Sequence, residues 1–153
     1  MRRSARTLIG ALILLSALAP PGGAAELGPR AVVDEFSRLI EAHRALEAVD
    51  RYVAADFVEH DSSVAGGDRA GMIRYLQSHG WTEAGGGQTV IHRDRTIAAG
   101  EYVVVHQHLQ RSPREPVLVF VDIFRVRHGR IVEHWDVMQP VPEHPANTRY
   151  PMY

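Results

Sequence analysis

Two carboxylates and a histidine stand at alternating positions on the last two predicted strands of this sequence. Asp122 lies in the apolar run 117–127, and His134 and Asp136 lie in the run 130–139. Side chains two residues apart share one face of a strand, so His134 and Asp136 point to the same side. Burial raises the pKa of a carboxyl, and a neighbouring imidazole can hold the remaining charge. Such a set can remove a proton next to a carbonyl group and return it elsewhere.

The register of the hairpin between these two strands decides whether the three groups meet. We expect a three-residue loop with its glycine in the left-handed conformation, which pairs Val126 with Arg130. This register sets Asp122 opposite His134, with Asp136 two residues further along on the same face. A two-residue turn would shift the pairing by one residue and separate Asp122 from both groups.

Asp122 also has a purely structural interpretation. An acid among apolar neighbours on a strand can be buried and bonded to the backbone, or to Arg125 or Arg127. The presence of Asp136 on the same predicted face favours the acid–base interpretation, because two acids on one face are harder to explain by packing.

Other side chains are candidates for the wall of the same pocket: His60, His106, His108, Phe120, Phe124 and Met138. His106 and His108 share one face of a predicted strand and join the pocket only if that face is turned to it; Phe120 also suits a core or dimer interface. The spacing of the two histidines resembles that of metal ligands on a strand, and His134 or His60 would make a third ligand. Our preferred prediction for the pocket contains no metal.

Hydrophobic periodicity predicts the elements that position these residues. A helix opens at Pro29 with an inner face from Val32 to His43, and a short second helix follows over 45–53. Asp68 is the predicted cap of a third helix that ends near Gln77. Strands are predicted over 57–60, 89–98, 102–110, 117–127 and 130–139, with a glycine loop at 85–87 before the second strand. Helices followed by a long antiparallel meander predict an α+β fold with helices packed on one face of a curved sheet.

Composition narrows the chemistry further. The chain has 153 residues, of which 45% are hydrophobic and 23% charged, as in one globular domain. It contains neither cysteine nor lysine, which excludes disulfides, thiolate metal sites, a cysteine nucleophile and a lysine Schiff base. A formal net charge of −1 argues against a nucleic-acid partner. Carboxylates and imidazoles are therefore the leading candidates for chemistry.

The first 25 residues have the three-part pattern of a secretory signal. A basic start precedes the apolar run 8–19, and Gly23 and Ala25 supply small residues before a predicted cut. Removing three arginines and no acid takes the net charge from −1 to −4. We therefore expect an exported domain over 26–153, periplasmic or secreted, with no stable membrane anchor after cleavage. An uncleaved N-terminal anchor is the alternative.

Two segments of the last hairpin resemble a known family. Residues 121–126 (VDIFRV) and 129–137 (GRIVEHWDV) resemble the hallmark hairpin of SnoaL-like polyketide cyclases, which belong to the nuclear transport factor 2-like superfamily. The segment from Tyr52 to His60 and the start of the third predicted helix also fit. The resemblance implies a conical α+β fold in which helices and a bent sheet enclose an apolar pocket, in a homodimer.

The resemblance also implies a reaction class and roles for two acids. In the family's characterised cyclases, an aspartate on the last strand acts as acid and base in a cofactor-free aldol ring closure. Asp136 matches that aspartate, Asp122 its partner, and His60 a position at the pocket mouth. The expected ligand is a small apolar or carbonyl-containing molecule. A non-catalytic ligand-binding or dimerisation module of the same fold is the main alternative, and a histidine-based metal enzyme is a further one.

Overall fold

The structure, a computed structural model, describes residues 26–82 and 89–153. The predicted signal peptide over 1–25 and the predicted glycine loop over 85–87 lie outside the described residues. The export prediction therefore stays a prediction.

Helices form where the periodicity predicts them: α1 spans Pro29–Glu41, α2 spans Ala45–Tyr52 and α3 spans Arg69–Ser78. Proline in the first turn of α1 has the backbone angle that a helix start needs. Asp68 caps α3 as predicted, because its carboxylate accepts a hydrogen bond of 2.7 Å from the Gly71 amide.

The first helix ends two residues before His43, which the periodicity had placed on its inner face. His43 has a positive φ of 57°, and its amide and that of Arg44 donate to carbonyls in the last helical turn. This is the left-handed stop that glycine more often supplies. The His43 ring holds that conformation through its Nδ1, which lies 3.2 Å from the Gly80 carbonyl oxygen.

In the described part of the chain, five strands form one mixed sheet: β1 spans Val53–Glu59, β2 Val90–Ala99, β3 Tyr102–Gln110, β4 Leu118–Arg127 and β5 Arg130–Pro140. Their spatial order is β1-β5-β4-β3-β2. The last four strands form the predicted antiparallel meander, and β1 pairs parallel to β5. The predicted α+β architecture is confirmed, and β1 begins four residues earlier than expected.

The turn between β4 and β5 differs from the predicted one. His128 and Gly129 both have positive φ, at 48° and 68°, and form a two-residue turn that pairs Arg127 with Arg130. Positive φ at both central positions is the turn geometry that matches the twist of a hairpin. The expected pairing of Val126 with Arg130 is therefore wrong.

A bulge in β5 then restores the common face of the three candidate groups. Val132 has no partner across the hairpin, so the register moves by one residue beyond it. Asp122 consequently lies opposite Asp136, and not opposite His134 as predicted. Without the bulge, the two-residue turn would have set Asp122 opposite Trp135 on the other face.

The main core lies between the helices and the inner face of the sheet. Its fully buried members come from both layers, among them Val32 and Val33 of α1, Val49 of α2, and Val103 and Val105 of β3. In the described part of the chain, no helix is long and apolar enough to cross a membrane.

Candidate functional site

A cavity of about 130 Å³ opens between the helices and the inner face of the sheet. Aromatic and aliphatic side chains form much of its wall: Phe36, Ile40, Met72, Leu76, Trp81, Phe120 and Phe124. Polar side chains gather on the same wall: Glu59, Asp61, Tyr75, Gln107, Arg111, Asp122, His134 and Asp136. An apolar cavity with a few convergent polar groups is the usual form of a small-molecule site.

The most buried polar cluster of the cavity wall consists of His134 and the two carboxylates on either side of it. The Nδ1 atom of His134 lies 2.9 and 3.0 Å from the two carboxylate oxygens of Glu59, and its Nε2 lies 3.2 Å from Asp122 Oδ1. The side chain of Glu59 is 1% exposed, while those of His134 and Asp122 are 11% and 10% exposed. Two carboxylates can each accept a hydrogen bond only if both ring nitrogens carry protons.

This arrangement fixes the charge of His134. Burial lowers the pKa of His134, but hydrogen bonds and attraction from Asp122 and Glu59 outweigh burial and raise that pKa from 6.5 to about 10. The ring is therefore an imidazolium at neutral pH, and both of its N–H groups are already engaged.

Asp122 is held from two sides. Its Oδ1 accepts from His134, and its Oδ2 accepts a hydrogen bond of 2.9 Å from the side-chain amide of Gln107. Gln107 stands on β3, next to β4, which carries Asp122. The structural interpretation that Asp122 pairs with Arg125 or Arg127 is wrong, since both arginines pair with Glu101 near the hairpin end of the sheet.

Asp136 has a different environment from the other two acids. It is half-buried on the cavity wall, directly across the hairpin from Asp122. Burial, together with repulsion from Asp61, Asp122 and Glu59, raises the pKa of Asp136 from 3.8 to about 6, against an opposing effect of the His134 charge. A carboxylate with this pKa is well matched to accept and return protons near neutral pH.

A second polar group stands beside Asp136 on the helical side. Tyr75 of α3 borders the cavity, and burial together with the nearby Asp61 carboxylate raises the pKa of its hydroxyl. Asp61 accepts hydrogen bonds of 2.7 Å from both the backbone amide and the hydroxyl of Ser63. Tyr75 thus stays protonated and able to donate a hydrogen bond into the cavity.

Five of the predicted site residues line the cavity: Asp122, His134, Asp136, Phe120 and Phe124. His106 and His108 do not, and their predicted place in the pocket is wrong. Gln107 and Leu109 of β3 line the cavity, and alternation sends the two histidines to the outer face of the sheet. There His106 accepts from Arg95 at 2.8 Å, and His108 pairs with Asp94 at 2.9 Å.

His60 and Met138 also lie outside the cavity wall. The His60 ring stacks on Trp135 with centroids 4.4 Å apart, and its Nε2 lies 3.8 Å from Glu133. Met138 is 49% exposed near the end of β5. The predicted place of both residues in the pocket is therefore wrong, since neither borders the cavity.

Sequence reasoning missed Glu59 and Gln107, although alternation groups each of them with apolar residues on one face of its strand. Glu59 stands two residues after Phe57, which is buried, so alternation puts both on the inner face of β1. Gln107 stands between Val105 and Leu109 in the same way. The missing information was which face of β3 is buried, because both faces carry apolar residues.

The histidine-based metal alternative gains no support from the geometry. His106 and His108 lie on the opposite face of the sheet from His134, so the proposed three-histidine set does not assemble. Within residues 26–82 and 89–153, no group of three or more histidine, aspartate or glutamate side chains is arranged to hold a metal ion.

Comparison with known proteins gives a family and a fold. The model of the SnoaL-like domain matches residues 30–134 of this chain. No curated protein sequence matches the chain.

Among the solved structures that share the fold are three proteins of 20–21% identity to this chain. The "putative ketosteroid isomerase" of Kribbella flavida DSM 17836 superimposes with a TM-score of 0.62 at 20% identity, over 79% of this chain and 84% of that one. For wild-type IdmH, a "putative polyketide cyclase" of Streptomyces antibioticus, the TM-score is 0.56 at 20% identity. The match covers 72% of this chain and 91% of that one. An NTF2-like protein of unknown function from Mesorhizobium loti superimposes with a TM-score of 0.58 at 21% identity. The match covers 72% of this chain and 90% of that one.

Proposed function

The chain belongs to the SnoaL-like domain family, and we propose that its cavity binds a small, largely apolar carbonyl compound and transfers a proton to and from it. The observation that carries this proposal is the place of Asp136, a half-buried carboxylate on the wall of an aromatic cavity beside a buried imidazolium. The names of two structural neighbours, a polyketide cyclase and a ketosteroid isomerase, point to the same class of chemistry.

In the proposed step, the Asp136 carboxylate takes a proton from the carbon next to the carbonyl group. The C–H bond breaks, an O–H bond forms on the carboxylate, and the electron pair moves to the carbonyl oxygen to give an enolate. If the compound is β,γ-unsaturated, deprotonation gives a dienolate, and return of the proton to its γ carbon moves the double bond and completes an isomerisation. Alternatively, the enolate carbon attacks a second carbonyl of the same molecule, and the carboxyl protonates the new alkoxide. This step needs no cofactor.

Asp122 and His134 have supporting roles in this proposal. Because both ring nitrogens of His134 are bonded to carboxylates, the ring has no N–H left to orient or protonate a substrate oxygen. We propose instead that His134 and Asp122 are positioning residues. They fix β4 and β5 behind Asp136, and the imidazolium charge limits how far the pKa of Asp136 rises.

Deuterium exchange tests the role of Asp136. We expect the protein to accelerate exchange of the protons next to the carbonyl of phenylacetone and related single-ring ketones in D₂O, followed by NMR. Asp136→Asn should slow this exchange by about 10²- to 10⁴-fold, the usual contribution of a general base.

The matched control is Asp94→Asn, which removes a carboxylate from the outer face of the sheet and should leave the rate unchanged. Equal rates for wild type and Asp136→Asn would contradict the proposal. Binding of the ketone without exchange in the wild type would favour the non-catalytic ligand-binding alternative.

We also propose that the outer face of the sheet joins two copies of the chain. An apolar patch crosses this face, made of Ile97, Val104, Val121, Ile123 and Val137, of which Val137 is 70% exposed. Contiguous exposed apolar surface of this kind marks interfaces. Val137→Asp should shift a dimer to a monomer in sedimentation velocity, while Leu46→Asp on α2 should not. A monomeric wild type would rule the interface out.

A further inference from the structure

We infer that the ligand of this cavity carries a cationic nitrogen, as a small aromatic amine does, and that Asp61 and Asp136 face that nitrogen. The inference deepens the proposed function by naming the substrate class as amine-bearing carbonyl compounds. Its test measures equilibrium binding alone, so the result does not depend on whether the protein transfers a proton.

The first support is the balance of charge on the cavity wall. His134 carries one positive charge between two carboxylates, so this buried group keeps a net charge of −1. Glu41 also borders the cavity and pairs with Arg93 at 2.7 Å, and the same arginine pairs with Asp34 at 3.2 Å. A ligand carboxylate or phosphate would therefore meet a wall that is already negative.

The second support is that two further acids add to this charge. In the described part of the chain, the ion pairs of the cavity wall involve Glu41, Glu59 and Asp122, and include neither Asp61 nor Asp136. Asp61 and Asp136 repel each other strongly enough for Asp61 to contribute to the raised pKa of Asp136. A cation near both carboxylates would relieve that repulsion.

The third support is the aromatic wall. Phe36, Tyr75, Trp81, Phe120 and Phe124 border the same cavity. Aromatic faces attract an ammonium group through the ring quadrupole, and such rings recur around bound quaternary and primary amines. A cavity of about 150 Å³ accommodates benzene, so the volume of about 130 Å³ here suits a single-ring ligand.

One basic residue at the cavity works against this preference. Arg111 borders the opening, but it is an exposed residue in the loop after β3. Its guanidinium is screened by solvent, whereas the carboxylates of Glu59 and Asp122 are buried and Asp136 is half-buried. The wall stays net negative even with Arg111 counted, and the experiment below includes an anion to test the opposite outcome.

The experiment compares three ligands of one size and different charge: benzylamine, benzyl alcohol and benzoate. Trp81 lines the cavity and Trp135 does not, and these are the two tryptophans of the chain. In a Trp135→Phe background, the fluorescence of Trp81 therefore reports binding. We expect benzylamine to bind roughly tenfold more tightly than benzyl alcohol, and benzoate more weakly than either. Equal affinities, or tightest binding by benzoate, would overturn the inference.

A charge-removing variant and a matched control test whether Asp61 faces the nitrogen. Asp61→Asn should lower the affinity for benzylamine by about fivefold and leave that for benzyl alcohol unchanged, as expected for loss of one partly screened charge. Asp50→Asn is the matched control, because this side chain on α2 is 85% exposed and away from the cavity. Equal effects of the two variants would overturn the role of Asp61.

The pH dependence gives an independent readout of Asp136. Benzylamine stays protonated between pH 5 and 7.5, while Asp136, which faces Asp61, Asp122, Glu59 and His134, ionises near the middle of this range. Affinity for benzylamine should therefore rise with pH in the wild type and stay flat in Asp136→Asn. A flat profile in the wild type would overturn the part assigned to Asp136. Charge-selective binding without deuterium exchange would retain this inference and refute catalysis.

Discussion

Two histidine–carboxylate pairs of equal length lie on opposite faces of the sheet. On the inner face, His134 Nδ1 is 2.9 Å from Glu59, and on the outer face, His108 Nδ1 is 2.9 Å from Asp94. The inner Glu59 side chain is 1% exposed, whereas both outer side chains are 18% exposed. Geometry alone therefore does not separate the pairs, and burial does.

Burial gives the two pairs different functions. The inner pair is desolvated and bonded to a second carboxylate, so its charges are fixed and act on the cavity. The outer pair is part of a stack in which the rings of His92 and Tyr153 lie on either side of His108, at 4.9 and 4.0 Å. This stack packs residues near the end of the chain against the sheet.

The largest expected difference between the pairs is in stability. Glu59→Ala would leave the imidazolium of His134 with one partner in a buried site, which should cost about 3 kcal/mol of unfolding free energy. Asp94→Ala on the outer face should cost less than about 1 kcal/mol, because water replaces the lost partner. Urea unfolding of both variants at pH 7 measures the difference. Equal losses would show that burial does not distinguish the pairs.

The pH dependence of stability sharpens the same comparison. The pKa of His134 is raised from 6.5 to about 10 in the folded state, so the folded protein holds this proton more tightly than the unfolded chain. The resulting stability is fully present below pH 6.5 and is lost as the pH rises towards 10. Between pH 6 and pH 9, the wild type should therefore lose about 3 kcal/mol more unfolding free energy than His134→Gln.

His108→Gln is the control for this measurement, since it removes the histidine of the outer pair and leaves His134 between its two carboxylates. An NMR titration of the His134 ring gives a direct check. A midpoint below pH 7 would contradict the buried imidazolium.

The sequence predicts more of the fold correctly than of the site. Helix ends, strand limits and the Asp68 cap depend on local signals, namely periodicity, capping residues and glycine positions. The place of Asp122 relative to His134 depends on a bulge at Val132, and nothing in the local sequence of β5 distinguishes a bulged residue from an ordinary one. Two errors in the predicted hairpin, a wrong turn and a missing bulge, offset each other, so the correct residues still shared a face.

The misplaced histidines show a different limit. On β3, valines occupy both faces near the start of the strand, so alternation defines two faces without showing which is buried. The preference for His106 and His108 came from their chemistry, whereas Gln107 is the residue whose amide reaches the buried acid. The buried face depends on which side the helices cover, and that is decided by packing across the whole chain.

The smallest expected effect concerns Asp136. Its ionised carboxylate lowers the unfolding free energy because it lies half-buried on the inner face of the sheet. Its pKa is raised from 3.8 to about 6, so the folded state binds a proton that the unfolded chain releases, and stability falls as the pH rises between these values. Asp136→Asn removes this cost and should stabilise the protein at pH 8 by about 1 kcal/mol, after allowing for solvent screening of a half-exposed group. At pH 3.5, where the native carboxyl is protonated, the gain should vanish.

Asp50→Asn on the exposed side of α2 is the control and should change the unfolding free energy at neither pH by more than about 0.5 kcal/mol. A gain at pH 8 together with loss of proton transfer would mean that the carboxylate is kept on the cavity wall at the expense of stability, whereas destabilisation at pH 8 would mean that Asp136 is a structural acid like Asp122.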